Sequence, residues 1–546
     1  MIVNYFIRRI YVHLFLNIKK GHKQFCKKKE IYKIRKILFD FSNDNIQLAE
    51  KDFNKKFFSN DTSLNQKILK QKFLTLVHQT RFLHTFYYFN NLNTKGIYCL
   101  PNQYLNYLKN KCDQKINFFF SRIYFKLFII LNFFLGLNKL FKILIYLILT
   151  NLKIKKKTII LEDLDNYDVF TNFNLEHYNI SNKNFDLKEK NIINWVIKKF
   201  DSKNIILVHK NNLNFKFEDN GIKIFSSKNI YELLINEIYL ISLLKEFFLL
   251  IIYMTKDLLM MKWWNVIFFS DVIDYKLFEF SKAKLARNYY FLTESNNYKP
   301  LWTYVAEEKN SKIILLSVSV QTEINSFECY DYEGICSSTW KHYYPWNQNH
   351  RDYIFNKLSD KNVNINVINS YIPYKDSEIK FSLPDNTICF FDYQNHKKNV
   401  PHSTLVDYTL AFGDGTAHAL RKKFCLDLIS MKNKFNFNIV TKKKRNIDIK
   451  LIFKKDLILD KYLESNQVIF IDPNVAVERI IEKTKLAITL PFTSPAVIAQ
   501  NVGVESIYYD PICNIDKNDP NRSNILIISG LDELKNYLEN FFKYKL

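Results

Sequence analysis

The chain has 546 residues, 47% of them hydrophobic and 16% aromatic, with a mean hydropathy of −0.20. That is enough apolar material for two or more packed domains, and it excludes both a disordered chain and a bundle of membrane spans. The net charge of +25, from 79 Lys and Arg against 54 Asp and Glu, favours nucleic acid, anionic lipid or phosphorylated substrates as partners. The basic residues are spread along the chain and no RNA- or DNA-binding module is recognisable, so a nucleic-acid partner is not expected.

The N-terminal run MIVNYFIRRIYVHLFLNIKK has the Arg pair of a signal n-region. Arg8, Arg9 and His13 interrupt its apolar stretch and no small-residue cleavage site follows, so a cytoplasmic location is expected. Two later stretches, Phe118 to Leu149 and Ile238 to Trp264, are apolar but carry lysines throughout, among them Lys126, Lys139, Lys142, Lys245 and Lys256. Their helical spacing suits either a helix in a bilayer interface, and so peripheral contact with the inner face of the membrane, or an amphipathic core helix. The eight cysteines (26, 99, 112, 329, 336, 389, 425, 513) form no CxxC pair and have no His at zinc-ligand spacing. They read as thiols in a reducing compartment, and no metal site is expected.

Residues 1–200 are rich in Asn, Lys and Phe and are expected to be mainly helical, with no chemistry that can be named. From Asn204 onward, short apolar runs alternate with helical stretches, the pattern of βα units on a parallel sheet. Strands are expected at 204–210, 221–226, 265–271, 289–294 and 312–320, giving an α/β domain over 201–376. The alternation then resumes over 377–546, with strands at 387–393, 437–443, 467–473, 486–492 and 506–511. Helices are expected over 416–431, 476–484 and 495–501. A last helix, 531–542, is expected to close the chain and brace the first domain.

The richest segment is KLAITLPFTSPAVIAQNVGVESIYYDP (485–511). A strand ends at Leu490, Pro491 turns the chain, Thr493 and Ser494 follow, and Pro495 stands where a helix begins. Hydroxyl residues between a strand end and a helix N-terminus suit a phosphate, and they equally suit an ordinary N-cap. Gly503 ends the helix before the next strand. Basic residues at Thr441-Lys442-Lys443-Lys444-Arg445 follow another strand, with Lys442 and Lys444 as candidate phosphate contacts. The segment FDYQNHKKN (391–399) places Asp392 and His396 at a strand end, as candidate substrate contacts. Gly413-Asp414-Gly415-Thr416 is a glycine-marked turn, not a Walker motif.

The string LPFTSPAVIAQNVGVESIYYDP closely resembles the signature of the PFTS-motif polysaccharide biosynthesis family. Weaker resemblance extends through VTKKKR, ICFFDYQNHKK and YKPLWTYVAEE. The resemblance implies a GT-B-like glycosyltransferase: two Rossmann-like α/β domains facing a cleft, here with a mainly helical N-terminal extension. It further implies a nucleotide-sugar donor as substrate, a glycan or lipid-linked acceptor, and no cofactor. Related sugar transferases place a ribose-binding glutamate five residues before the helix-end glycine, where this chain has Ile498, so Asp472 or Glu505 becomes the candidate ribose contact. The paired hydroxyls and the basic loop resemble branches that use CMP-sugars. A general base is expected on the cleft side of the first domain, with Asp271 and Glu294 as candidates and Glu307 and His342 behind them. The alternatives are a catalytically inactive assembly or scaffold protein with the same fold and, from the charge and aromatic content, a nucleic-acid-binding protein.

Overall fold

The computed structural model describes residues 62–79, 95–112, 115–151, 164–173, 192–209, 216–234, 239–281, 284–293, 298–320, 335, 338–371, 379–392, 417–443, 454–513 and 515–545. Within them lie a helical layer and two sheets.

The first sheet contains β1 (Asp168–Phe173), β2 (Asn204–His209), β3 (Lys216–Asp219), β4 (Ile222–Ser227), β5 (Asn288–Thr293), β6 (Lys312–Ser317), β7 (His342–Tyr344) and β8 (Asn364–Ile365). Their spatial order is β3-β4-β2-β1-β5-β6-β7-β8, and every pair is parallel except the β3–β4 hairpin. Asn220 and Gly221 turn that hairpin with φ of 48° and 77°, the left-handed pair that a two-residue hairpin loop requires. β1 comes from the stretch expected to be helical, yet it lies inside the sheet between β2 and β5, with Phe170 stacked on Tyr290 at 4.6 Å.

The second sheet contains β9 (Thr387–Phe391), β10 (Asn438–Lys442), β11 (Ile469–Ile471), β12 (Leu486–Thr489), β13 (Glu505–Asp510) and β14 (Leu526–Ser529). It is wholly parallel, in the order β11-β10-β9-β12-β13-β14. Strands buried on both faces explain the unbroken apolar runs TICFF and LAIT, in which every residue is buried. In both sheets the chain winds outward from a central strand, returns, and winds out the other way, which is the doubly wound Rossmann-like topology. Two such units in series form the GT-B-like architecture that the family resemblance implied.

The 265–271 run is not a strand. It forms the Trp263–Ile267 helix and the start of the Phe269–Glu279 helix, which bury Val266, Phe269, Val272, Ile273 and Leu277 at helical spacing. A short apolar run reads alike as a buried strand or a buried helix segment, and here the apolar period continues past residue 271 at 3.6 rather than 2. These helices pack with Phe118–Asn151 and Leu240–Leu259 around one apolar cluster. Gly136 lets the long helix close onto Phe269, whose ring a Cβ at that position would overlap. Among the described elements, the last helix, Gly530–Lys545, makes its main contacts within the second domain and not with the first, contrary to expectation. It packs on the Ala417–Phe435 helix beside it, with Lys434 paired to Glu539 at 2.8 Å and Phe542 stacked on Phe437 at 5.4 Å.

With only nine glycines, the chain uses asparagine where the backbone turns left-handed: Asn220, Asn310, Asn369, Asn386, Asn436 and Asn524 all have positive φ. Asparagine is among the few residues with a side chain that visit this region readily.

His350, in the Gln348–Lys357 helix, is fully buried, and burial pushes its imidazole down to about 4. Below its unfolded value of about 6.5 the unfolded chain takes up a proton that the folded chain refuses, so stability falls as pH drops towards 4. Urea unfolding at pH 7 and pH 5 should differ by about 2 kcal/mol from this residue alone. His350→Leu should remove that part of the difference, and an unchanged difference in the variant would contradict the assignment.

Candidate active site

In a doubly wound sheet, the connections leave in opposite directions from the two strands where the order reverses, and a crevice opens beyond their carboxyl ends. In the second sheet those strands are β9 and β12. Asp392 directly follows β9, and Leu490 to Ser494 directly follow β12. Leu490 N donates to Phe391 O at 3.3 Å, so the two strand ends are in register.

The turn after β12 has an unusual backbone. Phe492 sits at φ 60°, a left-handed conformation that costs a bulky residue about 1–2 kcal/mol. Its ring is buried and stacks on Tyr508 of β13 at 5.6 Å, and burial of a phenylalanine contributes about 1.5–3 kcal/mol, enough to offset the strain. The reversal at Phe492 delivers Thr493 to the N-cap position of the Ser494–Asn501 helix, with extended backbone and Pro495 in the first turn. The far end closes on Gly503 at φ 77°, with Val504 N bonded to Ala499 O at 2.9 Å.

The two hydroxyls do different things. Thr493 Oγ1 donates back to Leu490 O at 2.8 Å, closing the turn, and makes no cap bond to the helix. Ser494 Oγ accepts from Val320 N at 3.3 Å, and Val320 lies just beyond the carboxyl end of β6 in the first sheet. A serine hydroxyl carries one proton as well as its lone pairs, and among the described residues the Ser494 proton has no acceptor. The helix therefore begins without a side-chain cap, with a free hydroxyl proton beside it, where the carboxyl edges of the two sheets meet. Such an arrangement can receive an anionic oxygen.

Beside the turn is a buried ionic cluster. Arg421, on the Ala417–Phe435 helix, donates through Nε to Asp392 at 2.6 Å and through Nη2 to Asp460 at 2.6 Å, with Asp456 at 3.4 Å. Lys443 reaches Asp460 at 3.1 Å. Burial raises the Asp392 carboxyl above its usual range although Arg421 lies against it. Asp392 is thus held by the protein itself at the floor of the crevice. Arg421 was not among the residues expected here, although its spacing with buried Phe424, Cys425 and Leu428 places it on the inner face of its helix.

Several other sequence candidates lie apart from this crevice. Lys442 ends β10 but spends its ammonium on Pro473 O at 3.1 Å and Val475 O at 2.5 Å, holding the loop after β11. Asp472 accepts from Asn474 N at 2.7 Å in that same loop, at the end of the edge strand β11. Three strand spacings, about 14 Å, separate it from β12. Glu505 begins β13, so it stands at the opposite edge of the sheet, where Tyr537 OH donates to it at 2.5 Å. Glu505 does not face the Ser494 turn and is corrected as a ribose contact; Asp472 shares the carboxyl edge with the turn, three strands away.

Asp271 is in the first turn of a helix in the helical layer, paired with Lys72 at 2.5 Å, and so cannot serve as a base at a strand end. Glu307 is bound to the buried Lys299 at 2.6 Å, and His342 is at the amino end of β7. Lys444, His396, Glu294 and the Gly413–Thr416 turn lie outside the described residues; Glu294 is the next residue after β5. Of the described cysteines, Cys99, Cys389 and Cys425 are buried thiols and Cys513 is exposed. Among the described residues, no group of three or more His, Cys, Asp or Glu side chains could hold a metal ion.

Removing a buried cation from among carboxylates leaves charge uncompensated. Arg421→Met should therefore lower unfolding stability by about 3–5 kcal/mol. Denaturant unfolding measures this, and a loss below about 1 kcal/mol would mean that water already screens the cluster.

Three solved structures that match the chain at low similarity are of an epimerase, a protein bound to UDP-glucose and a polymerase. The first is the UDP-GlcNAc 2-epimerase of Methanocaldococcus jannaschii (11% identity, TM-score 0.35, covering 69% of this chain and 92% of that one). HepE of Anabaena, in complex with UDP-glucose, gives 9% identity and a TM-score of 0.34, covering 69% and 90%. The wall teichoic acid polymerase TagF gives 12% and 0.35, covering 76% and 89%. At these scores the fold assignment rests on the sheet topology of the chain itself. No curated protein shows significant sequence similarity. The family model for polysaccharide biosynthesis PFTS motif proteins matches residues 243–538, more than half of the chain, and the chain belongs to that family.

Proposed function

We propose that the chain is a glycosyltransferase that moves a sugar from a nucleotide-sugar donor to a hydroxyl of a growing surface polysaccharide or a lipid-linked glycan. The observation that carries this reading is the uncapped Ser494–Asn501 helix, with the free Ser494 proton at its start, placed at the strand-order reversal of the second sheet.

In this reading the donor phosphate sits over the PFTS turn. As the bond between sugar and phosphate breaks, negative charge grows on the leaving oxygen. The helix N-terminus carries roughly half a positive charge, and the Ser494 hydroxyl adds a hydrogen bond, so both are better matched to the leaving group than to the intact donor. That set of donors lets transfer proceed without a bound metal. Thr493 positions the turn and does not touch the phosphate. Asp392 and Arg421 hold the crevice floor beside it. The acceptor approaches from the first domain, where Glu294 is the candidate base that follows a strand at that sheet's own order reversal, between β1 and β5. The nucleotide base remains open, with CMP among the candidates.

Ligand-induced thermal shifts across UDP-, CMP-, GDP- and dTDP-sugars test the donor class. Ser494→Ala should weaken binding of the selected nucleotide by roughly 10- to 100-fold, because a hydrogen bond to a charged group contributes about 1.5–3 kcal/mol, and should lower stability by about 1 kcal/mol through the lost bond from Val320 N. Thr493→Ala should lower stability by a similar amount, about 1 kcal/mol, through its lost turn bond, with a smaller effect on binding. Unchanged nucleotide binding in the Thr493→Ala, Ser494→Ala double variant would sink the reading.

A further inference from the structure

The Phe118–Asn151 and Leu240–Leu259 helices form one side of the helical layer. Each buries an inner stripe in the same apolar cluster, through Phe125, Ile129 and Leu140 on the first and Leu243, Phe247 and Met254 on the second. Their outer faces are also apolar. Phe119, Phe134 and Phe141 on the first are more than half exposed, as is Phe248 on the second, where Ile241 is 85% exposed. From Phe119 to Ile148 this exposed stripe runs for about 44 Å, far beyond the scattered apolar residues of an ordinary surface.

The charge on these faces has one sign. The long helix contains no acidic residue, and its exposed charges are Arg122, Lys126 and Lys142. On the second helix the exposed charges are Lys245 and Lys256. Asp257 there is buried against Asn265, and Glu246 is drawn to Lys276 at 3.5 Å.

A second copy docked by twofold symmetry would bring this positive surface against itself. An anionic bilayer instead accepts aromatic and aliphatic side chains at its interface and lysines among its headgroups. We propose that the outer faces of these two helices dock the protein, lying in the plane of the surface, onto an anionic lipid bilayer.

The long helix is long and apolar enough to cross a membrane by length and composition. A transbilayer path conflicts with its inner stripe, which is packed on protein, and with Lys139, which is paired to Asp274 at 2.5 Å and bonded to Ser270 O at 2.9 Å. The outer face meets lipid while the inner face stays with the fold.

Flotation of the full chain with vesicles of phosphatidylcholine alone, or of phosphatidylcholine mixed with phosphatidylglycerol, tests this. The mixed vesicles should bind at least about tenfold more protein, and added salt should weaken the binding. The Phe134→Ser, Phe141→Ser, Phe248→Ser variant should lose flotation by about tenfold or more, with melting temperature and nucleotide binding unchanged, because its sites are exposed. Lys126→Glu with Lys142→Glu should erase the preference for phosphatidylglycerol. The proposal is overturned if the wild type floats with neither vesicle or if both variants float like it. It is equally overturned if sedimentation finds a dimer that the serine variant abolishes while lipid binding is absent.

Discussion

Between β9 and β12 the second sheet reverses its direction of winding, and the backbone cannot cover the carboxyl ends of both strands. Whatever occupies that gap meets the start of the helix that follows β12. The chain could have closed the helix there with its own threonine, as most helices with Thr or Ser at the N-cap do. It bends Thr493 back to Leu490 O instead, and Phe492 accepts a left-handed backbone to make that bend. The strained residue, the backward hydroxyl and the uncapped helix are one device. Relaxing Phe492 would change the direction of Thr493, and with it the start of the helix.

The rest of the crevice is arranged around holding that turn still. β12 is flanked by β9 and β13, so both neighbours of the turn are interior strands. Asp510, at the end of β13, accepts from Ile512 N and Ile515 N, which pins the next loop as well. On the β9 side, Arg421 gathers Asp392, Asp460 and Asp456. Such a cluster adds little net stability, because desolvation offsets most of the attraction, but it fixes positions sharply and is costly to break. Together these features form a frame that fixes the turn after β12 from both sides.

Five of the six strands of the second domain were legible because they are short, mostly apolar and punctuated, whereas β14 (Leu526–Ser529) was not expected. LAIT runs into Leu490-Pro491, TICFF into Asp392, and SIYYD ends at Asp510, while the literal PFTS string marks the family. β1 was not legible: DVFTNF is a six-residue segment in an Asn- and Lys-rich setting, and only its pairing with β2 and β5 makes it a strand. NVIFFSD misled for the opposite reason, since an apolar run of strand length was the middle of a buried helical pair. Acids beside apolar runs are ambiguous in sequence, which does not show whether a residue enters or leaves a strand. Glu505 enters its strand and Asp271 belongs to none, whereas Asp392 and Asp472 both leave theirs at the carboxyl edge.

A bond that joins the two domains at the turn, Val320 N to Ser494 Oγ, could not have been read from side-chain chemistry because its donor is backbone. Its geometry nevertheless ties the domains to the site. Leu316, Val318 and Trp346 of the first domain belong to the same apolar cluster as Leu490 and Phe492 of the second, so the end of β6 is seated against the turn by packing as well as by the hydrogen bond. A neutral N–H donor of this kind contributes only about 1 kcal/mol, but it sets which lone pair of Ser494 is used and therefore where its proton can point. An anion held there would be gripped by the second domain and oriented by the first, which gives a physical reason for the hydroxyl of PFTS to stand at the boundary between the domains and not inside either one.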